Sequence, residues 1–354
     1  MQRRHFLAAL PAPALSTSAL TRTLAGALAG TATLGAPALH AQSRPNAIPL
    51  KFTLDFRVTS QTSPFFLALN RGYYRDAGLD VSIDVGAGSV ASITRVASGA
   101  YDLGLGDISA LIEFQSQESA GASVQAVFQY YNRAPFVIIG RRDKGVSDDF
   151  ASLKGKRVAA AAVESTRRCW PMVARKRQFG PDFFEWVTTD FSARDNVVVR
   201  GDVDAATYFH DSAVSLFARI PQQELAVLAY AQAGVHLYGN AILASQRLLA
   251  EQPEAVRAFL AATRRAMTET LADPEPALHA IKAREGILNL DVERQRWAIT
   301  RDYLLTAESR QIGLGHVRPE VLATQIDEVA SVFGLARKPS VEQLFNPQWL
   351  PAKT

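Results

Sequence analysis

Cysteine occurs once in 354 residues, at Cys169, and methionine only three times. A single thiol excludes an intramolecular disulfide, an iron–sulfur cluster held by several thiolates and any CxxC metal site. Histidine is also scarce: beyond residue 41 only His210, His236, His279 and His316 remain, too dispersed to suggest a local metal motif. There is no HExxH helix, no GxSxG elbow and no Walker-type phosphate loop, and Gly104-x-Gly106 lacks the third glycine of a dinucleotide fingerprint. No metal and no cofactor is therefore expected. Cys169, beside Trp170-Pro171, reads as a small buried hydrophobe rather than a reactive thiol. A charged fraction of 20% and 22 glycines exclude global disorder and collagen-like repeats.

Acidic residues are missing from the first 41 positions, which carry Arg3, Arg4 and Arg22. A twin arginine precedes Phe6-Leu7 and an Ala/Leu/Gly/Thr-rich stretch ending at Ala41, the pattern of a cleavable twin-arginine export signal at residues 1–41. The stretch is too diluted by Gly26, Gly30, Gly35, Thr31, Thr33 and Pro37 to read as a membrane anchor. No cysteine lies near the cut, so a lipid anchor is excluded, and a periplasmic, soluble mature protein is expected. The whole chain has 38 basic and 34 acidic side chains, a net of +4; without the three leader arginines the balance falls to +1. That removes the main support for a nucleic-acid partner, which needs a concentrated basic surface.

The body alternates strand and helix patterns. Lys51–Phe56 reads as a strand, 64–76 as a helix, Leu79–Val85 as a strand, and the Gly88-Ser89 turn opens a helix closed by Gly99. Leu103–Gly106 is a strand, 107–118 a helix and Val124–Tyr131 a strand. A second run begins near Pro135: strands at Phe136–Arg141, Arg157–Val163, Glu185–Phe191, 203–206 and Leu225–Tyr230, with a helix over 166–179 whose Pro171 should fall in its first turn. Val235–Ala244 reads as one long apolar strand. Helices fill the rest, at 253–271, 276–284, 292–305 and 319–333. The βαβα order indicates an α/β protein with parallel sheets. The expected organisation is a first lobe at 46–134, a second at 135–234, and a return to the first at 235–354 with a helical C-terminal tail.

Ligands in open α/β sheets sit beyond the carboxyl ends of the strands. Three strand-to-helix corners fit: Gly88-Ser89, Asp107-Ile108-Ser109 and Glu164-Ser165-Thr166-Arg167. Their backbone N–H groups and hydroxyls suit a carbonyl or anion, and Arg167 suits a carboxylate or sulfonate; ordinary helix capping and a solvated basic face are the other readings. Phe56, Tyr130-Tyr131, Tyr208-Phe209 and Tyr238, at strand ends and crossovers, offer flat walls for a ring.

Several segments in order resemble the nitrate/sulfonate/taurine and thiamine-pyrimidine class of substrate-binding proteins of ABC importers. They include Thr53-Leu54-Asp55-Phe56, Pro64-Phe65-Phe66-Leu67-Ala68-Leu69, Arg71-Gly72-Tyr73-Tyr74, Ala77-Gly78-Leu79-Asp80-Val81, Leu153-Lys154-Gly155-Lys156-Arg157-Val158 and Leu237-Tyr238-Gly239-Asn240. The resemblance spans residues 50–350. It implies a type II periplasmic-binding-protein fold, two lobes joined by crossings at Tyr131–Arg141 and Val235–Ala244. It also implies a monomeric, non-catalytic binder that captures a small molecule, a pyrimidine-like heteroaromatic or a sulfonate/carboxylate, and delivers it to an inner-membrane permease. By position, Asp55-Phe56 matches the Asp/Asn-Trp pair lining the pyrimidine site of relatives, with the indole donor lost. The candidate ligand contacts are Asp55, Phe56, Ser63, Gly88, Ser89, Asp107, Tyr131, Thr166, Arg167, Tyr208, Tyr238 and Asn240. The rival on the same fold is an enzyme, the fungal thiamine-pyrimidine synthase, which has a histidine where Ala110 stands and a cysteine-rich run where residues 233–240 have none.

Overall fold

The structure, a computed structural model, describes residues 47–118 and 123–351. The export signal expected at residues 1–41 and its expected cleavage point lie outside the described residues. Among the described residues no helix is long and apolar enough to cross a membrane.

Among the described residues ten strands form two five-stranded sheets. The first contains β1 (Ile48–Thr53), β2 (Leu79–Asp84), β3 (Leu103–Asp107), β4 (Val124–Gln129) and β10 (Asn240–Ser245), in the order β2-β1-β3-β10-β4. The second contains β5 (Phe136–Arg141), β6 (Arg157–Ala160), β7 (Glu185–Thr188), β8 (Ala205–Phe209) and β9 (Leu225–Ala229), in the order β7-β6-β8-β5-β9. β1 runs parallel to β2 and β3, and β6 parallel to β7 and β8. In each sheet one strand runs antiparallel to both its neighbours: β10 between β3 and β4, and β5 between β8 and β9. Both are the first strand after the chain has changed sheets.

Strand composition follows position. Edge strand β2 buries Leu79, Val81 and Ile83 and exposes Asp80, Ser82 and Asp84, so one face is wet. β10 is buried at every residue and correspondingly short of charge. The chain leaves the first sheet through 130–135 and returns through 234–239. These two crossings lie side by side: Tyr130 and Tyr131 N–H both donate to the Asn240 carbonyl at 3.0 and 2.8 Å, and Ala134 N–H to Leu237 O at 2.8 Å.

Three sequence expectations change. Residues 235–239 are crossing rather than strand: Gly239 N–H and Leu237 O bond the other crossing, while Val235 N–H donates to Tyr230 O and Tyr238 N–H to the Gln325 side chain, so no strand ladder forms. The first helix is broken into Ser63–Asn70 and Tyr73–Asp76 by Gly72, whose φ of 74° turns the chain left-handed. Pro171 sits well inside the helix Ser165–Lys176, past its first turn, and withholds the N–H that the Arg167 carbonyl would accept.

The helix Pro253–Ala272, opened by its first-turn proline, packs Val256, Phe259, Leu260 and Met267 on the first sheet, where Tyr74 stacks on Phe259 at 4.9 Å. The helix Leu290–Leu304 touches segments that extend from both sheets. Glu293 Oε2 accepts from Ser60 N–H at 2.6 Å, and Arg296 Nη1 donates to the Asp211 carbonyl at 2.7 Å.

Candidate functional site

The carboxyl ends of β1, β2, β6, β7 and β8 converge on a cleft of about 470 Å³, counting its open mouth. From the first sheet come Asp55, Phe56, Gln61, Gly88 and Ser89; from the second come Glu164, Ser165, Phe191, Arg194, Phe209 and Ser212.

Asp55 lies two residues past the end of β1 and is buried. Asn240, the first residue of β10, donates its side-chain N–H to Asp55 Oδ2 at 2.7 Å, while Asp55 Oδ1 has no protein partner. Burial raises the Asp55 pKa from 3.8 to about 6, against the lowering effect of the Asn240 hydrogen bond. Its backbone holds the neighbouring loop: Gly88 N–H donates to Asp55 O at 2.7 Å and Gly86 N–H to Phe56 O at 2.9 Å. A Cβ on Gly86 would lie 2.0 Å from the Leu54 carbonyl oxygen, and Gly88 has a φ of 103°, so both positions require glycine. This loop aims the N-terminus of the helix Ser89–Ala97, with Ser89, into the cleft.

On the opposite wall Glu164 and Arg194 form a buried ion pair, Nη1 to Oε1 2.7 Å. Glu164 Oε2 accepts from Thr207 Oγ1 at 2.7 Å, and the Arg194 guanidinium lies 4.0 Å from the centre of the Tyr208 ring. Arg194 Nε has no partner. The rings of Phe56 and Phe191 meet edge-on at 5.2 Å and carry the contact from one sheet to the other. Aromatic walls, one carboxyl oxygen with open hydrogen-bonding capacity and a neutralised cation suit a flat ring with a polar edge better than a bare anion.

Of the expected contacts, Asp55, Phe56, Gly88 and Ser89 line the cleft, and Asn240 supports Asp55. The others do not line it. Asp107, paired in register with Asn240, caps the helix Ile108–Gln117 by accepting from Ala110 N–H at 3.2 Å; burial raises its pKa to about 7. Tyr131 donates to Asp211 and Tyr238 to Glu308, both at the crossings. Tyr208 and Thr166 lie behind the second wall, Tyr208 donating to Asp195 Oδ1 at 2.9 Å and Thr166 Oγ1 to the Tyr208 carbonyl at 3.3 Å. Ser63 is buried at the start of its helix with no partner for its hydroxyl. Arg167 donates to Thr188 Oγ1 at 3.0 Å and lies over Trp186, a direction fixed by its place on the helix, so the cleft arginine is Arg194 instead.

Arg194, Phe191, Ser212 and Gln61 were not anticipated from the sequence. Arg194 opens the short helix Arg194–Arg200, where a cation opposes the helix dipole. A cation set against the dipole is the one oddity the sequence shows there, and in the fold Glu164 balances it.

Two α/β sheets, each with one antiparallel strand, and a cleft at their carboxyl ends define the type II periplasmic-binding-protein fold. The aliphatic sulphonate-binding protein SsuA from Escherichia coli superposes with a TM-score of 0.66 at 17% identity, over 85% of this chain and 97% of that one. Residues 59–277 match the NMT1/THI5-like family, and the chain belongs to that family. The riboflavin-binding protein RibY of Chloroflexus aurantiacus is 25% identical over 350 residues, 91% of this chain and 93% of RibY. A 4-amino-5-hydroxymethyl-2-methylpyrimidine phosphate synthase of Aspergillus parasiticus is 22% identical over 263 residues, 70% of this chain and 73% of the synthase.

Proposed function

We propose that the protein is the solute-binding component of an ABC importer, exported to the periplasm by its twin-arginine leader and acting there as a monomer. It takes a flat heteroaromatic molecule into the cleft and presents it to the membrane permease. The observation that carries the ligand class is the charge state of the two walls: Arg194 is neutralised by Glu164, while Asp55 keeps one oxygen without a partner. A sulfonate or carboxylate would meet, at the one unpartnered N–H of Arg194, a guanidinium whose charge Glu164 already balances. A ring with an amino or ring N–H edge instead meets the open oxygen of Asp55 and the faces of Phe56, Phe191 and Phe209. Ligand bridging both walls shifts the population towards the state in which the halves meet, and the permease reads that state.

The match to the Aspergillus synthase favours catalysis as the second reading. Against it stand Ala110 and the cysteine-free run at 233–240, where the resemblance implies a histidine and cysteines in the synthase.

Thermal-shift screening of the mature protein against aminopyrimidines, aromatic acids, alkanesulfonates and nitrate tests the proposal. A ring ligand at about a hundred times its dissociation constant adds roughly 2.7 kcal/mol of stability. Stabilisation by sulfonates or nitrate alone would overturn the ring assignment, and chemical conversion of a bound pyrimidine would overturn the transport reading.

A further inference from the structure

The ring site opens sideways into a second, larger cavity of about 1090 Å³, counting its mouth. The two share Phe56, Gln61, Phe191, Arg194 and Ser212, so the Phe56–Phe191 pair stands at their junction. A lone small ring would leave this second space to water.

The chemistry of the second cavity differs from that of the first. Thr59 contributes a buried hydroxyl with no partner. Ser215 Oγ donates to Asp195 Oδ2 at 2.6 Å, leaving the hydroxyl oxygen as an acceptor. Arg296 is tied to Glu293 at 3.2 Å and to the Asp211 carbonyl. Across both cavities the lining guanidiniums are Arg57, Arg194 and Arg296, against the carboxyl groups Asp55, Glu164, Asp195, Glu285 and Glu293. Acidic groups outnumber basic ones, and two of the three arginines are already paired. That balance disfavours a phosphate or carboxylate tail and suits neutral hydroxyls, which can both donate to carboxylates and accept from Thr59.

Resting on the ring-binding reading above, we propose that the natural ligand is a flat heteroaromatic ring bearing an uncharged, hydroxylated chain. The ring occupies the site at Asp55 and the phenylalanines. The chain passes the Phe56–Phe191 junction and is hydrogen-bonded by Thr59 and by the Ser215–Asp195 pair.

The test is titration calorimetry with two series, each one ring in three forms: cytosine, cytidine and cytidine monophosphate; lumiflavin, riboflavin and flavin mononucleotide. In at least one series the chain-bearing neutral compound is expected to bind about tenfold tighter than its bare ring, as one or two net hydrogen bonds allow. Its phosphorylated form should bind about tenfold more weakly. Thr59→Val and Ser215→Ala should each lower affinity for the chain-bearing compound about tenfold without changing that for the bare ring, with melting temperatures recorded to show that both variants fold. If bare rings bind as tightly as their chain-bearing forms, the two-part ligand is wrong while the ring site stands. Tighter binding of the phosphorylated forms would also overturn it, in favour of an anionic tail. If no member of either series binds, both readings fall together.

Discussion

Arg194 Nη1 donates to Glu164 Oε1 at 2.7 Å, and both side chains are almost sealed from solvent. A guanidinium so little exposed is poorly hydrated, so its charge is balanced chiefly by the carboxylate and by the Tyr208 ring. On the proposed function, this pair sets which sign of ligand the cleft accepts.

Glu164→Gln keeps the shape and removes the counter-charge. Breaking one side of a buried pair destabilises by about 3–5 kcal/mol, which urea unfolding would measure. The freed cation should also raise affinity for aromatic carboxylates or alkanesulfonates by about tenfold, read by calorimetry. A folded variant with unchanged preference would show that Arg194 does not set the charge selectivity.

Asp55 makes the opposite trade. Its pKa rises from 3.8 to about 6 because burial penalises the charged form. The folded state therefore holds the proton more tightly than the unfolded chain. Stability from this group is fully present below about pH 4 and is lost as pH rises through about 6. At 1.36 kcal/mol per unit the loss above that window is about 3 kcal/mol. Asp55→Asn, which can still accept from Asn240, should therefore be more stable than the parent by about 1–3 kcal/mol at pH 8. The gain should shrink towards zero near pH 4, and affinity for amino-bearing rings should drop most above about pH 6, where the parent carries the carboxylate. A variant less stable than the parent at pH 8 would mean that Asp55 is not desolvated in solution.

Elements whose hydrophobic period was long and well bounded were legible in the sequence. The alternation of Leu79, Val81 and Ile83 and the apolar stripe of Pro253–Ala272 both form as read. Glycines with a forced geometry were legible as corners too, and Gly88 does open a helix onto the cleft. What failed was direction. Arg167 and Arg194 are both arginines near the start of a helix after a strand, and only the rotation of each helix decides which faces the cleft. The crossing 235–239 was read as strand because an apolar run does not say where its backbone hydrogen bonds go. The Asp55–Asn240 contact joins residues 185 apart in sequence, so no local pattern could announce it.

The Phe56–Phe191 contact lends itself to a double-mutant cycle, because one ring belongs to each half and they meet at 5.2 Å. Phe56→Ala, Phe191→Ala and the double variant, compared in unfolding free energy, should give a coupling of about 0.5–1.5 kcal/mol, the range for an edge-on aromatic pair. Ligand binding supplies the second measurement. If a ring ligand rests against both phenylalanines, each single variant weakens it severalfold, and the double variant loses less than the product of the two, since one remaining face no longer clamps the ring. Nitrate, which has no ring to stack, should respond much less to either substitution. A coupling of zero in the ligand-free protein would place the two halves apart in solution. Equal losses for ring and nitrate would remove the stacking role from both residues, because a flat face can discriminate only where there is a second face to meet it.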